Sequence, residues 1–210
     1  VLRMKPGEKL MVNAGGDWEY LCEIAEIERE RVTLRVLEGR QETRELPISI
    51  TLYQGLPKAE KMELIVQKAV ELGAAAIVPV EMHRSVVRLD EKKAAVKQKR
   101  WQAIAEAAAK QAGRSVIPEV SLPLSYKEAL RRVEAEGTEL RLLPYERAAG
   151  MAATRDLIRS VKAGQRVAVM IGPEGGFEET EVEAAEAEGF HALTLGKRIL
   201  RTETAGLVML

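Results

Sequence analysis

Cysteine is almost absent from this 210-residue chain: Cys22 stands alone, so no intrachain disulfide can form, which suits a reducing cytoplasm. Histidine is nearly as scarce, at His83 and His191 only, and no Cys/His cluster exists. A zinc site is therefore not expected, nor any other metal. Asn13 is the single asparagine. Scarce Asn and Cys beside abundant Glu and Arg fit a thermostable protein or a biased genome equally. No apolar run approaches the length of a membrane span, and no N-terminal signal pattern is present. Aromatic residues make up only 4%, which leaves few surfaces for base stacking. There is no excess of charge of either sign: 32 Lys and Arg balance 32 Asp and Glu, which argues against an indiscriminate nucleic-acid binder.

What is present is an ordinary globular balance, with 46% hydrophobic and 30% charged residues. Charge is segregated along the chain. Residues 84–114 carry nine Lys or Arg against three Asp or Glu, and residues 178–188 carry six Glu and no base. Such segregation can steer a polyanion to one face, although a solvated helix face gives the same composition. The chain opens on Val1 and stops inside the apolar run Leu207–Leu210, so both ends are expected to be trimmed.

Residues 1–46 read as short strands: Lys9–Val12, Trp18–Ile27, Val32–Leu37 and Thr43–Leu46, with Gly15-Gly16 as a hairpin turn and Gly39 as a break. Strands without helices predict a small all-β barrel. Trp18 and Tyr20 are its aromatics, available for base stacking or for hairpin packing. Residues 47–210 alternate strand and helix, which predicts a mostly parallel α/β sheet. Its strands are expected at 48–53, 76–80, 116–120, 140–143, 166–171 and 192–195. Helices are expected at 58–72, 91–112, 125–136, 155–161, 178–188 and from Thr202 onward. Sequence rules alone give an unknotted Rossmann-like arrangement.

Two runs carry the chemistry. The first is Ile171-Gly172-Pro173-Glu174-Gly175-Gly176-Phe177, and the second runs from Leu195 through Gly196, Lys197, Arg198, Ile199, Leu200, Arg201, Thr202 and Glu203 to Thr204-Ala205. Each follows a strand and leads into a helix, so the two make a cleft at strand C-ends, where α/β sheets bind ligands. Neither run has the spacing of a P-loop or a dinucleotide fingerprint. Pro173 has no N–H to offer a phosphate. Taken singly, Gly-Pro and Gly-Gly mark tight turns. Taken together, Leu195, Ile199 and Leu200 beside backbone groups at Gly196 and Arg198 suit the faces and edge of a flat heteroaromatic ring.

With this wording, and with the segments EKMELIVQKAVELG and EAAAKQAGRSVIPEV, the chain resembles the SPOUT superfamily of knotted RNA methyltransferases. The likeness is greatest to the branch that methylates uridine N3 in 16S ribosomal RNA. The resemblance implies a SPOUT methyltransferase domain over residues 47–210 with a C-terminal trefoil knot, in which the second loop threads under the first, a PUA-like or OB-like RNA-binding barrel over residues 1–46, and S-adenosylmethionine as cofactor. It implies cofactor contacts at Ile171, Gly172, Pro173, Glu174, Gly175 and Gly176, and again at Leu195, Gly196, Ile199, Leu200, Arg201 and Thr204, with Leu143 beside them. Arg84, Arg88, Arg114 and Lys197 are implied to touch RNA, and Gln111 either RNA or a buried carbonyl. Relatives often carry Ser where Glu178 stands, so the usual hydroxyl cap is absent there. The remaining acids of 178–188 are expected to face solvent.

Methyl transfer to uridine N3 must also remove one proton. Arg201 and Glu203 are the candidate catalytic pair, Arg201 stabilising charge on the uracil oxygens and Glu203 either accepting the proton or capping the last helix. Implied partners are 16S ribosomal RNA or the small ribosomal subunit, and a second copy of the chain in a homodimer, but no membrane. The competing expectation is a non-catalytic RNA-binding protein whose cleft is vestigial or holds another adenine compound.

Overall fold

The computed structural model describes residues 4–13, 18–41, 44–148 and 150–210. They fall into two units, residues 1–45 with 113–116, and residues 46–112 with 117–210.

In the first unit, β1 (Lys9–Asn13), β2 (Trp18–Ile27) and β3 (Val32–Gln41) form an antiparallel sheet in the order β1-β2-β3. Two register shifts bend β2 against β3, between Leu21 and Cys22 and between Ile24 and Glu26. Gly39 does not end the third strand as expected. β3 runs through it because the Tyr20 ring covers the bare backbone, 3.3 Å from where a Cβ would stand. The expected strand 43–46 does not form over Arg44–Leu46. Arg44 instead donates to the Gly113 carbonyl at 2.7 Å and pairs with the buried Glu19 carboxylate at 2.8 Å. Thr43 and the Gly15-Gly16 turn lie outside the described residues.

The second unit is a sheet of seven parallel strands. They are β4 (Ser49–Gly55), β5 (Ala76–Glu81), β6 (Glu119–Val120), β7 (Leu124–Ser125), β8 (Leu140–Pro144), β9 (Arg166–Ile171) and β10 (His191–Leu193). Their order is β10-β8-β9-β4-β5-β6, with β7 also paired to β5. The helices are α1 (Lys61–Glu71), α2 (Glu91–Ala112), α3 (Tyr126–Ala135), α4 (Met151–Arg159), α5 (Glu179–Ala187) and α6 (Thr202–Met209). Alternate residues of each strand feed different layers. Leu52, Val167 and Val169 pack with Ile65 of α1 and Trp101 of α2, whereas Tyr53, Ala168 and Met170 pack with Val133 of α3 and Val182 of α5. None of the described helices is long and apolar enough to cross a membrane.

Two sequence expectations shift for identifiable reasons. α1 starts at Lys61 rather than near residue 58, because Ala59 takes a left-handed conformation (φ 56°) that a right-handed helix cannot include. α4 starts at Met151, directly after Gly150 in the left-handed region (φ 95°). The strand sequence β8, β9, β10 is not the spatial sequence: β9 enters the middle of the sheet beside β4, and β10 lies at the edge beyond β8. The connection from edge strand β10 to α6 therefore returns across the sheet, since α6 packs on β9 and α1.

Candidate active site

The reversal of strand order beside β9 places a crevice at the C-terminal ends of β8, β9 and β10. A cavity of about 420 Å³ occupies it, within the range of small-molecule sites.

The first loop, 172–177, forms one wall. It is fixed from below by Gly55, where a Cβ would stand 2.6 Å from the Pro173 nitrogen, so only glycine admits the chain so close. Arg84 fixes it from the side. Its guanidinium donates to the Gly175 carbonyl at 2.9 Å and to Glu178 Oε1 at 2.9 Å. This guanidinium holds the Glu178 carboxyl below the usual range, with His83 adding to the effect. Glu181 corrects the expectation that the later acids of 178–188 face solvent. It is buried, accepts the Glu178 N–H at 2.9 Å as the N3 side chain of a capping box, and accepts the His83 N–H at 2.8 Å.

The second loop, 194–201, forms the facing wall. Gly196 takes φ +113°, a conformation that side-chain-bearing residues rarely adopt. Thr154 of α4 clasps the start of this loop, its hydroxyl donating to the Thr194 carbonyl at 3.1 Å and accepting the Thr194 N–H at 3.3 Å. The loop presents Ile199, 83% exposed, at the cavity. So large an exposed apolar side chain at the rim suits contact with a ligand or partner.

Most residues expected from the sequence converge here. Ile171, Gly172, Pro173, Glu174 and Gly176 line the cavity from one side; Leu195, Gly196, Lys197, Ile199, Leu200 and Arg201 line it from the other. Four do not. Leu143 is fully buried in the core beneath, Gly175 faces Arg84, Thr204 is exposed, and Glu203 lies off the lining. In their places stand Pro144 at the end of β8, Tyr145 and Glu146 after it, Thr202 and Ala205 of α6, and Phe177. Sequence offered no signal for the β8 residues, because strand order was not legible. Tyr145 is brought in by its N–H bond to the Leu193 carbonyl at 2.9 Å.

Lys61 also went unnoticed in the sequence. Its ammonium lies 3.1 Å from Glu174 and 3.3 Å from Glu203, joining the first loop to α6. Burial pushes the Glu174 carboxyl upward, but its own N–H, that of Lys58 and the Lys61 ammonium together hold it below its ordinary value. Arg201 is exposed, and its guanidinium has no hydrogen-bond or ion-pair partner among the described residues, while its carbonyl accepts the Ala205 N–H at 2.8 Å.

Of the residues expected at RNA, Lys197 and Arg88 are exposed, Arg88 reaching the His83 carbonyl at 3.2 Å and, at 4.0 Å, Glu81. Arg84 is engaged with the first loop. Arg114, in the first unit, is buried, and its Nε donates to both oxygens of Glu45 at 3.2 and 3.0 Å while Nη2 closes on the same carboxylate. Gln111 is exposed on α2 and satisfies no buried carbonyl among the described residues.

Residues 44–210 match the RNA methyltransferase domain family, and residues 1–37 match the RNA methyltransferase PUA domain. Across its whole length the chain is 38% identical to the ribosomal RNA small subunit methyltransferase E of Bacillus subtilis, covering 82% of that protein. The chain belongs to the ribosomal RNA small subunit methyltransferase E family. A family member from Neisseria gonorrhoeae, solved bound to S-adenosylmethionine, superposes with a TM-score of 0.80 at 35% identity over 99% of this chain and 83% of its own. A Legionella pneumophila protein solved with the same cofactor gives a TM-score of 0.81 at 34% identity, over 99% and 82%. Membership in methyltransferase E accounts for the parallel sheet with its preceding PUA domain.

Proposed function

We propose that this protein transfers a methyl group from S-adenosylmethionine to N3 of a uridine in 16S ribosomal RNA. The observation that carries the reading is the convergence of both glycine loops, from β9 and β10, on one cavity that is also lined by Arg201, whose guanidinium has no partner among the described residues. The cavity suits the cofactor: Leu195, Ile199 and Leu200 offer apolar faces beside loop backbone, and no phosphate-cradling lysine motif is present. The cofactor, when bound, supplies a methyl group already activated by a positively charged sulfur.

The chain's own residues do the rest. The two loops exclude water and orient donor and acceptor, so that little motion is needed for an in-line displacement. Arg201 offers a planar fork of donors to the uracil oxygens as N3 loses its proton. Glu203, beside it on the first turn of α6, is the proposed proton acceptor. Its pair with Lys61 is the resting arrangement, and that ammonium is shared with Glu174. Arg88 and Lys197 are the proposed phosphate contacts. Arg84 and Arg114 serve the loop and the first unit instead, because both guanidinium groups are already taken.

We further infer that the return from β10 to α6 under the first loop forms a trefoil knot, and that the protein works as a cytoplasmic homodimer. The half-buried apolar residues of α6, Leu207 and Met209, fit such an interface. Sedimentation at micromolar protein is expected to give twice the chain mass, and an active monomer would remove this part of the reading.

The decisive experiment treats 16S ribosomal RNA and small subunits with protein and isotopically labelled S-adenosylmethionine, then identifies the labelled nucleoside by mass spectrometry. N3-methyluridine is the expected product. Label at another atom would overturn the N3 assignment. Donor binding with no label in either substrate would favour a non-catalytic RNA-binding protein.

A further inference from the structure

Beneath the cavity lies a polar chain that the reaction outlined above does not use. Gln54, the next-to-last residue of β4, is fully buried. Its Nε2 donates to Thr202 Oγ1 at 2.8 Å and to the Gly55 carbonyl at 3.1 Å. The Thr202 hydroxyl in turn donates to the Gly172 carbonyl at 2.6 Å. Three segments distant in sequence, the end of β4, the first loop and the start of α6, are thus tied at one buried point. Gly55 and Gly206 permit the approach: a Cβ at Gly55 would meet Pro173, and one at Gly206 would stand 3.4 Å from Gln54 Oε1.

Gln54 Oε1 is buried and accepts no hydrogen bond among the described residues. A buried unsatisfied acceptor costs stability, and an apolar side chain of similar length would avoid that cost. Core packing alone therefore gives no reason for an amide here. Its Nε2 does have a use: it leaves the Thr202 hydroxyl one productive direction for its own proton, toward Gly172.

We propose that Gln54 and Thr202 are positioning residues for the donor site, fixing the Gly172–Pro173 peptide and, through the N-terminus of α6, Arg201. Both Gly172 and Arg201 line the cavity, and Thr202 stands between them in the fold. The proposal rests on the reading of this cavity as the S-adenosylmethionine site.

The test compares the whole protein with Thr202→Val, Thr202→Ser and Gln54→Met. S-adenosylmethionine affinity is measured by calorimetry, melting temperature by scanning, and amide exchange is followed over residues 171–177. Thr202→Val keeps the shape and removes the donor, and is expected to weaken donor affinity by about fivefold, the worth of one hydrogen bond. Thr202→Ser should restore it. Gln54→Met should weaken affinity while the melting temperature holds or rises, which a merely structural role would not produce. Amide exchange in the first loop should quicken in both weakened variants. Unchanged affinity and unchanged loop exchange in a folded Thr202→Val or Gln54→Met protein would overturn the proposal. If Thr202→Val fails to fold, Gln54→Met decides alone. If the wild-type protein binds no S-adenosylmethionine, the donor reading falls, and loop exchange by itself still decides whether the relay positions the loop.

Discussion

The ammonium of Lys61 lies 3.3 Å from the Glu203 carboxylate, and the same ammonium reaches Glu174 at 3.1 Å. One lysine on α1 thus balances two acids from two separate segments of the site. Glu203→Gln is expected to leave donor affinity unchanged and to slow single-turnover methylation by about 10²–10⁴-fold, with partial recovery at high pH as uridine itself ionises. A lowered melting temperature with an intact single-turnover rate would instead assign Glu203 to holding α6 through Lys61. Lys61→Met should weaken donor binding, because Glu174 and Glu203 are then left facing each other without a cation.

Gly55 should tolerate no side chain. A Cβ there would lie 2.6 Å from the backbone nitrogen of Pro173, and backbone cannot swing aside as a flexible side chain can. Gly55→Ala is expected to destabilise by about 1–3 kcal/mol and to abolish tight donor binding. Gly172→Val should act in the same direction by a different contact, since the added Cβ would meet Phe177 and Gly176 of the loop itself at 3.2 Å. Calorimetric titration of the folded variants checks both.

Arg114 and Arg88 should part company. Arg114→Ala removes the guanidinium from a largely buried pair with Glu45 and is expected to cost about 2–3 kcal/mol of stability in the first unit, as for hydrogen bonds to a charged group. Arg88→Ala should leave the melting temperature unchanged and flatten the salt dependence of RNA binding by about one unit of slope, as expected for one phosphate contact. Chemical denaturation and filter binding over a salt series measure the two effects.

The first loop should loosen in acid. The folded carboxyl of Glu174 lies below its unfolded value, so its contribution is fully present above about pH 4.3 and is lost as pH falls through the depressed folded value. The difference in melting temperature between wild type and Glu174→Gln is therefore expected to be constant near neutrality and to shrink below about pH 4. A difference that persists undiminished at pH 3 would show that Glu174 acts through packing.

Local chemistry made much of this protein legible in its sequence. Glu91–Ala112 and Arg166–Ile171 form as their patterns dictate, because helix and strand periodicities are properties of a single segment. The two glycine loops were recognisable for the same reason: each is a short run that must turn sharply after a strand. Tertiary structure decided what depends on which strand lies beside which. Moving β9 to the middle of the sheet and β10 to its edge brought Tyr145 and Glu146 to the cavity and left Leu143 beneath it. It also turned charged residues that the sequence offered to RNA into internal ties, Arg84 to Gly175 and Arg114 to Glu45. Composition counts charges, but only packing shows which of them already have a partner. Gln54, Lys61 and Thr202 show the same limit, since each acquires its role from neighbours far away in the chain.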